Sequence, residues 1–594
     1  MKIRYINGNR LFHAVLAGGN AVIEDRDYLN KINVFPVPDA DTGTNLASTM
    51  RAIAEKAKAF PSVQPTMESI ADAAIAGARG NSGLIFAQFL YGLSREMRDD
   101  IQLTTRAFGE SVRKAARHAY KAMLKPVEGT MLTVIKEWAD DVYDHCMHIS
   151  DFSELLPRSL KAAEESLRRT PEKLAVLARA GVVDAGARGF FDFIQGVADF
   201  IGRGNLRALA RFRKAIPDVD AAVPAHTSAE GLEQRWCAEA LIAGENLDPD
   251  VIRNVAASFG ESVIVAGSGT RVRIHCHTDR PAEMFYKIKD FGSVIDIKAD
   301  DMLRQYEAAH QRLGDIALVT DSSCDLPQDV LDAHQVHVIP YHVVFGESLF
   351  LDKVTLTPEK FYEMLETSPV MPKSSQPTPK AVQDMLSFLT THYASVVVWT
   401  ISEKLSGLNA MFQTAAGEYP PGKVSVFNSR QLSASLGLIV LRTAEALRGG
   451  ASTAEIEAAA PDWVKKTRIW VDVRTLEYMV RGGRVSPLKG LLAKVLNIKP
   501  IVTLDAEGKA AAAGKSFSRS GNMKKIVSLI GREADRGKVW KYGLVHARSR
   551  DRAEEYASRL RGRLGREPAY IVDISPVIGV HNGIGAVGIA MMMK

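Results

Sequence analysis

Two carboxylates one residue apart, Asp39 and Asp41, lie in the stretch Asn33-Val-Phe-Pro-Val-Pro-Asp-Ala-Asp-Thr-Gly-Thr-Asn45. Pro36 and Pro38 fix φ and donate no N–H, so residues 34–38 are expected to form an extended, rigid loop that aims both carboxylates at one place. Hard cations such as Mg²⁺ take such oxygens, usually one or two carboxylates together with substrate phosphates. Thr42, Thr44 and Asn45 add hydroxyl and amide groups that can cap a following helix, whose free N–H groups favour an anion. The chemistry this allows is a metal–nucleotide site. The plainer reading of a bare Asp-x-Asp is an acidic, capped turn before a surface helix.

A second constellation is built from nitrogen and sulfur. In Arg271-Val-Arg-Ile-His-Cys-His-Thr-Asp279 the alternation predicts a strand, on which His275 and His277 point the same way and Cys276 the other. A cysteine from elsewhere, such as Cys237, would complete three ligands of a tetrahedral Zn²⁺. On spacing alone the plainer reading is a pair of surface or hydrogen-bonded histidines. Asp144-His145-Cys146-Met-His148 also has metal-ligand residue types, but it falls on an expected helix and is read as solvated surface. A third set is hydroxylic: Ser374 and Ser375 in Pro372-Lys-Ser-Ser-Gln-Pro-Thr378, and Ser406 in Leu405-Ser-Gly-Leu-Asn409. Taken singly, Ser406 reads as a helix cap.

The elements that must position these groups follow from pattern and length. A chain of 594 residues calls for about three or four domains. Its net charge of +6 is small for that length and gives no argument for nucleic acid. Four scattered cysteines form no disulfide framework and suit a reducing cytoplasm. The N-terminus has no apolar signal core, and no apolar run approaches the ~20 residues that span a bilayer.

Residues up to about 210 read as helical, with an Ala-rich segment at 70–78 and helical apolar spacing at 86–97. Three Gly-containing loops interrupt them: Gly77-Ala-Arg-Gly-Asn-Ser-Gly83, Lys125-Pro-Val-Glu-Gly-Thr-Met-Leu-Thr133 and Gly181-Val-Val-Asp-Ala-Gly-Ala-Arg-Gly189. Small residues there let backbone N–H groups approach an anion, or let two helices pack closely. Residues 206–228, with Arg207, Arg211, Arg213, Lys214, Pro217 and Pro224, read as a linker. A smaller α/β unit follows, with a hairpin of strands at 261–267 and 271–279. From Asp315 apolar runs at 316–320, 396–402 and 424–427 alternate with helices, which implies a parallel sheet with its ligands beyond the strand C-termini.

Two apparent nucleotide motifs are rejected. Gly508-Lys-Ala-Ala-Ala-Ala-Gly-Lys-Ser516 has five residues between its glycines where a P-loop needs four, and it looks like a hairpin. Gly583-Ile-Gly-Ala-Val-Gly588 fits a dinucleotide fingerprint but leaves no room for the acidic residue about 20 positions on.

Taken in order, the first set of motifs resembles the DhaL-like nucleotide-binding domain of dihydroxyacetone kinases, and more closely its version in bacterial fatty acid kinases, over roughly residues 5–205. That resemblance implies a helical barrel whose loops hold Mg-ATP. Asp39 and Asp41 would bind the metal, and with Thr44 they would form the catalytic set. Asn45, Asn81, Ser82, Gly83, Thr130 and Met131 would touch phosphates or base, and Asp184, Gly186 and Ala187 would close over the nucleotide. The chain departs from the family at three points: Ala40 replaces the usual Gly between the two Asp, Val34 stands where one branch has a further Asp, and Gly186-Ala-Arg188 replaces Gly-Gly-Lys. Residues 233–313 resemble the fatty acid kinase middle domain, in which a Cys and a His-x-His bind zinc, here Cys237, His275 and His277.

Residues 315–594 resemble the DegV family of fatty-acid-binding proteins. The matches are Val319-Thr-Asp-Ser-Ser323, Ser374-Ser-Gln-Pro377, Leu405-Ser-Gly407, Thr475-Leu-Glu-Tyr478 with Gly482-Gly-Arg484, Asn497-Ile-Lys-Pro500 and Ile578-Gly-Val-His-Asn-Gly583. The resemblance implies that Ser374, Ser375, Ser406 and Gly407 bind the acyl carboxylate, with His581 near the head group.

The expected fold is therefore an all-α DhaL-like barrel (residues 1–210), a linker and small α/β middle domain (211–314), and an α/β DegV-like fold of two subdomains (315–594). The implied reaction is transfer of the ATP γ-phosphoryl group to a bound fatty acid, with ATP and Mg²⁺ as cofactors and a structural Zn²⁺. A cytoplasmic homodimer is implied, able to touch a membrane peripherally and to supply a downstream acyltransferase, with no nucleic acid partner. The rival readings are a dihydroxyacetone-type kinase of another small substrate, and a lipid-binding or transport protein with an inactive kinase domain.

Overall fold

Helical periodicity in the first two hundred residues, and alternation after them, set the elements. The computed structural model describes residues 2–35, 40–204, 233–483 and 499–594. Asp39, the linker residues Arg207 to Pro224, Arg484 and Asn497 lie outside them. The chain forms two compact units, Met1–Ala309 and His310–Lys594.

In the first unit, helices α1 (Gly8–Glu24), α2 (Arg26–Lys31), α3 (Thr42–Lys56), α4 (Val63–Gly77), α5 (Gly80–Glu96), α6 (Thr105–Ala122), α7 (Met131–Cys146), α8 (Phe152–Arg168), α9 (Thr170–Lys173), α10 (Ala175–Ala180) and α11 (Ala185–Arg203) follow one another. Their starts are marked by side-chain caps: Asn7 accepts from Arg10 N, Thr104 from Ala107 N and Asp184 from Ala187 N. The apolar stripes meet in an aromatic centre. Phe190 packs edge-on against Phe89 and Trp138, with ring centroids 5.6 and 5.5 Å away, a geometry worth ~1 kcal/mol per pair beyond burial. A two-residue antiparallel pair, β1 (Tyr5–Ile6) with β2 (Leu103–Thr104), is a small addition to the all-α expectation.

Cys146 corrects the reading of its cluster as solvated surface. It is 3% exposed, at the end of α7, and donates to Tyr143 O at 3.1 Å. Its helical spacing from Trp138, Ala139 and Val142 puts it on the core face.

The same unit continues into strands β3 (Trp236–Ala243), β4 (Gly260–Gly267), β5 (Arg271–Thr278) and β6 (Ser293–Asp301), paired antiparallel in the order β4-β5-β3-β6. Leu241, Ile264 and Ala266 join the helical core. Gly267 N donates to Gln88 Oε1 at 3.0 Å, and the buried Arg273 donates to Ala76 O at 3.0 Å.

The second unit holds three sheets. Parallel strands β7 (Ile316–Asp321), β8 (His337–Ile339), β12 (Ser395–Thr400) and β13 (Val424–Asn428) run in the order β13-β12-β7-β8. The small antiparallel sheet β10-β9-β11 uses β9 (His342–Phe345), β10 (Ser348–Leu351) and β11 (Lys373–Ser375). The third, ordered β16-β15-β14-β19-β17-β18, is mixed: β14 (Thr467–Asp472), β15 (Lys499–Leu504), β16 (Ala510–Ser516), β17 (Val539–His546) and β19 (Val587–Met593) pair antiparallel, while β18 (Ile571–Asp573) runs parallel to β17. The parallel reading thus describes the first of these sheets only. Both rejected motifs are strand structure: residues 510–516 are the second arm of the β15–β16 hairpin, and the run 583–588 leads into β19.

Candidate functional site

In the first unit, the helix-connecting loops converge. Asp41 occupies the cap position of α3, half-buried, with no hydrogen-bond partner for its carboxylate among the described residues. Ala40 beside it has φ +52°, the left-handed conformation that favours glycine. Thr44 is held from below: its hydroxyl accepts from Asn30 Nδ2 at 3.0 Å and its N–H donates to Asn30 Oδ1 at 3.1 Å. Asn45 touches the second loop closely, since a Cβ on Gly80 would lie 2.2 Å from Asn45 Nδ2. The second, third and fourth loops meet at Gly186: its Cβ position lies 3.2 Å from Met131 Cε, 3.3 Å from Asp184 Oδ1 and 3.4 Å from Ser82 Oγ. Gly83 packs against Thr49 and Asn45, and Ala187 is fully buried.

Asp184 ties two of these loops. Its Oδ1 accepts from Ala187 N at 2.7 Å and from Met131 N at 3.1 Å, while its own N–H donates to Thr170 Oγ1. Burial pushes its carboxyl up to about 6, against the pull of the two N–H groups. It is therefore a clamp on the loop backbones. Thr130 turns back on its own loop, donating to Val127 O at 2.7 Å. Asn81 keeps a buried Oδ1 with no hydrogen-bond partner. Arg188 is occupied by Asp192 at 2.8 Å and Asp25 at 3.5 Å. Sequence reasoning passed over both carboxylates; their signal was Asp192's i,i+4 spacing from Arg188 on α11.

The sheet of this unit brings the nitrogen and sulfur ligands together. Cys237 on β3 stands opposite His277 on β5, and Glu239 opposite His275. Ligand atoms of Cys237, His275 and His277 all lie within 4.8 Å of one another. Antiparallel pairing with alternation puts residues two apart on one face, so the four side chains share it. His275 Nδ1 lies 3.1 Å from Glu239 Oε1 and 3.8 Å from Cys237 Sγ, so a carboxylate stands beside the nitrogen and sulfur atoms. A thiolate with two imidazoles suits Zn²⁺ in kind. Burial, then Glu239 and Asp300, push the Cys237 thiol well up, so a cation is needed to hold it as thiolate.

In the second unit the hydroxyl motifs are brought to a common place. Ser374 on β11 lies 3.0 Å from His581 Nε2, and His581 belongs to the helix Pro576–Asn582. Ser406 Oγ accepts from Tyr341 OH at 2.7 Å and from Leu408 N at 3.3 Å. A Cβ on Gly407 would lie 3.1 Å from Gln376 Nε2, so the Ser-Gln-Pro and Leu-Ser-Gly loops touch. Ser375 is exposed, one residue along β11, and faces away from Ser374. Tyr341 and Gln376 were missed as contributors; neither has a spacing signal. Gly482 is required by contact: a Cβ there would lie 2.1 Å from His581 Nδ1.

A buried network fixes this helix. Asp352 accepts from Val577 N at 3.1 Å and from Ser322 Oγ at 2.5 Å, and Asp325 accepts from Ser575 N at 3.0 Å and pairs with Lys353 at 2.9 Å. Burial pushes Asp352 up to about 7.

Family models match as a DAK2 domain at residues 36–199, a FakA-like (fatty acid kinase) middle domain at 233–309, and an uncharacterised protein of the DegV family at 315–594. Among curated relatives, protein YloV of Bacillus subtilis is 30% identical over 321 residues, 52% of this chain and 57% of that protein. An uncharacterised protein of Staphylococcus epidermidis is 30% identical over 312 residues, 51% and 56% respectively. The match thus spans about half the length of these relatives. Among solved structures, DegV of Bacillus subtilis, described as a fatty acid binding protein, is 27% identical and covers 47% of this chain and 100% of that one, with a TM-score of 0.44. A DegV family protein from Thermus thermophilus is 28% identical over 47% and 99%, with a TM-score of 0.43. No described helix is long and apolar enough to cross a membrane. In order along the polypeptide, the chain carries a DAK2 domain, a FakA-like middle domain and a DegV-family domain.

Proposed function

We propose that this protein is a fatty acid kinase, which moves the γ-phosphoryl group of ATP onto the carboxylate of a fatty acid held by its own DegV-family domain. The observation that carries this reading is the pairing, in one chain, of two complementary sites. One is a convergence of loops bearing Asp41, Asn45, Asn81, Ser82, Met131 and Gly186; the other is a cluster of Ser374, Ser406 and His581. The first suits a nucleotide that brings its own cation, and the second suits a carboxylate.

Asp39 and Asp41 would hold Mg²⁺ on the ATP phosphates; Asp41, without a hydrogen-bond partner among the described residues, fits that role. Bound there, the ion would neutralise charge on the β- and γ-phosphates. The first turn of α5 offers the Asn81 and Ser82 N–H groups to the same phosphates, while Gly83 N–H is taken by Arg79 O at 3.2 Å. Thr44, Thr130 and Ala187 lie around them, and Asp184 keeps the Met131 and Ala187 loops in register. Cys237, His275 and His277 would hold a structural Zn²⁺, which crosslinks β3 and β5.

In the second unit the Ser374 and Ser406 hydroxyls would donate to the fatty acid carboxylate, with His581 and Tyr341 orienting them. The carboxylate oxygen attacks the γ-phosphorus, the bond to the β-phosphate oxygen breaks, and ADP leaves with that electron pair. The nucleophile is already an anion, so no general base is required. The product is an acyl phosphate, a substrate for an acyltransferase.

The test is fatty-acid-dependent turnover by the full chain. ATP is supplied with a long-chain fatty acid, ADP is measured, and the acyl phosphate is trapped with hydroxylamine and identified by mass spectrometry. ADP release that ignores fatty acid, or release without a hydroxamate, would overturn the proposal.

A further inference from the structure

We infer that the second unit holds an anion site of its own, at the C-terminal ends of β17 and β18, built to take the phosphate of a phosphomonoester. Its groups are separate from the Ser374, Ser406 and His581 cluster, and the site stands independently of the kinase reading.

The chain places cations where two helices begin. Arg519 opens the helix Arg519–Ala534, and Arg550 opens the helix Arg550–Leu564. β17 ends at His546 and β18 at Asp573, side by side in parallel pairing. Ligands of α/β sheets sit beyond such strand ends. Here they border a cavity of about 710 Å³, whose walls include Arg519, His546, Arg548, Arg550 and Arg552. The helix that carries His581 starts just after Asp573 and ends just before Gly585, whose carbonyl accepts from Arg519 Nη2.

Two buried nitrogens on this wall are unused. His546 is 3% exposed; its Nδ1 lies 3.0 Å from Asp573 Oδ1, and its Nε2 has no hydrogen-bond partner among the described residues. Held by Asp573 on one side, the ring can carry a second proton and donate from Nε2 to a dianion. Arg519 Nε is also buried without a partner among the described residues. The nearby Asp472 is taken by Arg552, through Nε at 2.8 Å and Nη2 at 2.6 Å. Burial, and then Arg552, hold the Arg519 guanidinium below its ordinary value, as expected of a cation short of a counterion.

The backbone adds donors. The helix Arg550–Leu564 makes its first bond from Ala553 N to Ser549 O, and Ser549 gives no side-chain cap. The N–H groups of Arg550, Asp551 and Arg552 therefore have no acceptor within the helix. The acidic groups of the wall are engaged or exposed: Asp573 faces His546, Glu555 holds Arg559 at 2.9 Å, and Asp551 is exposed. Arg548 and Arg550 pair only with the exposed Glu366 and Glu554, and such pairs are weak. Guanidinium, imidazole and helix N–H donors from separate elements suit a tetrahedral dianion better than a flat carboxylate. The cavity is larger than one phosphate ion, which leaves room for the group that carries it.

The experiment titrates inorganic phosphate into the full-length protein by calorimetry, without Mg²⁺ and at constant ionic strength, with acetate as the control anion. Wild type is expected to bind phosphate saturably and acetate at least about tenfold more weakly. Arg519→Gln and His546→Gln should each weaken phosphate by about tenfold or more, the scale of one lost charge-assisted hydrogen bond. If these variants do not fold, a measurement on wild type carries the test. Phenylglyoxal modifies accessible arginines, peptide mass spectrometry reads which ones, and phosphate should slow modification of Arg519 where acetate does not. Glycerol phosphate and vesicles containing phosphatidic acid then separate the two sources of such a group. Arg519-dependent binding of the first assigns a soluble ligand, and of the vesicles alone a lipid head group. Phosphate that does not bind saturably, acetate bound as tightly, an affinity unchanged in the folded variants, or labelling of Arg519 indifferent to phosphate each overturns the inference.

Discussion

The two places where chemistry is expected are built on opposite plans. Around the loops proposed to hold nucleotide, carboxylates and an amide are used up on backbone N–H groups of neighbouring segments: the buried Asp184 on Met131 and Ala187, the buried Glu239 on Gly80, and the half-buried Asn30 on Thr44. What is left facing the convergence is acceptor-rich, with Asp41 and the unpartnered Asn81 Oδ1. In the DegV-family domain the groups expected to meet ligand pair with one another instead, Ser374 with His581 and Tyr341 with Ser406. Both proposed substrates are anions. The first site would accept one through a bridging cation together with the N–H groups of α5, and the second would use side-chain donors. The contrast also locates the rigidity: in the first unit it lies in the loop backbones, and in the second in the side chains and the buried charges beneath them.

The sharpest way to break the comparison is to remove the cation site. Asp39→Asn with Asp41→Asn is expected to lower phosphoryl transfer by at least about a hundredfold to a thousandfold, the scale of losing one electrostatic stabiliser. Fatty acid affinity should be unchanged, as read by displacement of a fluorescent fatty acid. Transfer at the wild-type rate would mean that the acceptor-rich loop does not bind the metal–nucleotide.

Next in size is the loss of a donor from the other site. A charge-assisted hydrogen bond is worth roughly 1.5–3 kcal/mol, so Ser374→Ala or Ser406→Ala should weaken fatty acid binding about tenfold to a hundredfold. Ser375→Ala, whose side chain is exposed on the other face of β11, should change it less than twofold. Equal losses at Ser374 and Ser375 would show that β11 presents a different face to the ligand than its register suggests.

That pair shows how far the sequence could be read. Motif order grouped Ser374 with Ser406, and the structure brings their two loops into contact at Gln376 and Gly407, because each motif carries its loop with it. It grouped Ser375 with them, although period-two alternation on a strand separates adjacent residues. The His-x-His pair and its distant Cys237 were legible because strand alternation forces one face, and β3 happens to pair with β5 in the register that sets Cys237 opposite His277. Glu239, two residues from Cys237, was invisible for the complementary reason: its partners, Gly80 and Arg79, are 159 and 160 positions away. Asp184 was read as a nucleotide contact. Its burial and its two N–H donors depend on how α7 and α11 are packed, which no local pattern states. The β15–β16 hairpin was read as one, but the rest of the mixed sheet was missed because β14 pairs with β19 across a long separation in sequence.

A third test sharpens the contrast in rigidity through pH. Asp352 has a carboxyl raised to about 7 by burial, above its ordinary value of 3.8. Between those values the folded protein binds more protons than the unfolded chain, so stability falls as pH rises from about 4 through about 7. The ceiling on this single contribution is about 4 kcal/mol. Asp352→Asn keeps an acceptor for Val577 N and can donate to Ser322, so urea unfolding of the second unit should become flatter over that range and gain stability at pH 8. An unchanged profile would mean that the carboxylate stays charged beneath the His581 helix.

The smallest expected effect lies in the backbone between the two carboxylates. Ala40 holds φ +52°, where a Cβ crowds the following carbonyl, at a cost of about 1–2 kcal/mol. Ala40→Gly removes that crowding but adds about 0.4–1 kcal/mol of freedom to the unfolded chain. The difference leaves a net gain of about 0.5–1 kcal/mol, readable as a small upward shift in the denaturant midpoint of the first unit. Ala40→Val has the opposite sign, because a β-branched residue tolerates this region least. The carboxylates are untouched in both, so Mg²⁺ dependence of turnover should move less than threefold for the glycine variant and further for the valine, whose backbone must relax out of the left-handed region and redirect Asp41. If glycine destabilised the unit while valine did not, residue 40 would not be left-handed in solution. The loop would then present Asp41 by some other backbone path, and the rigid-backbone side of the comparison would fail at its central residue.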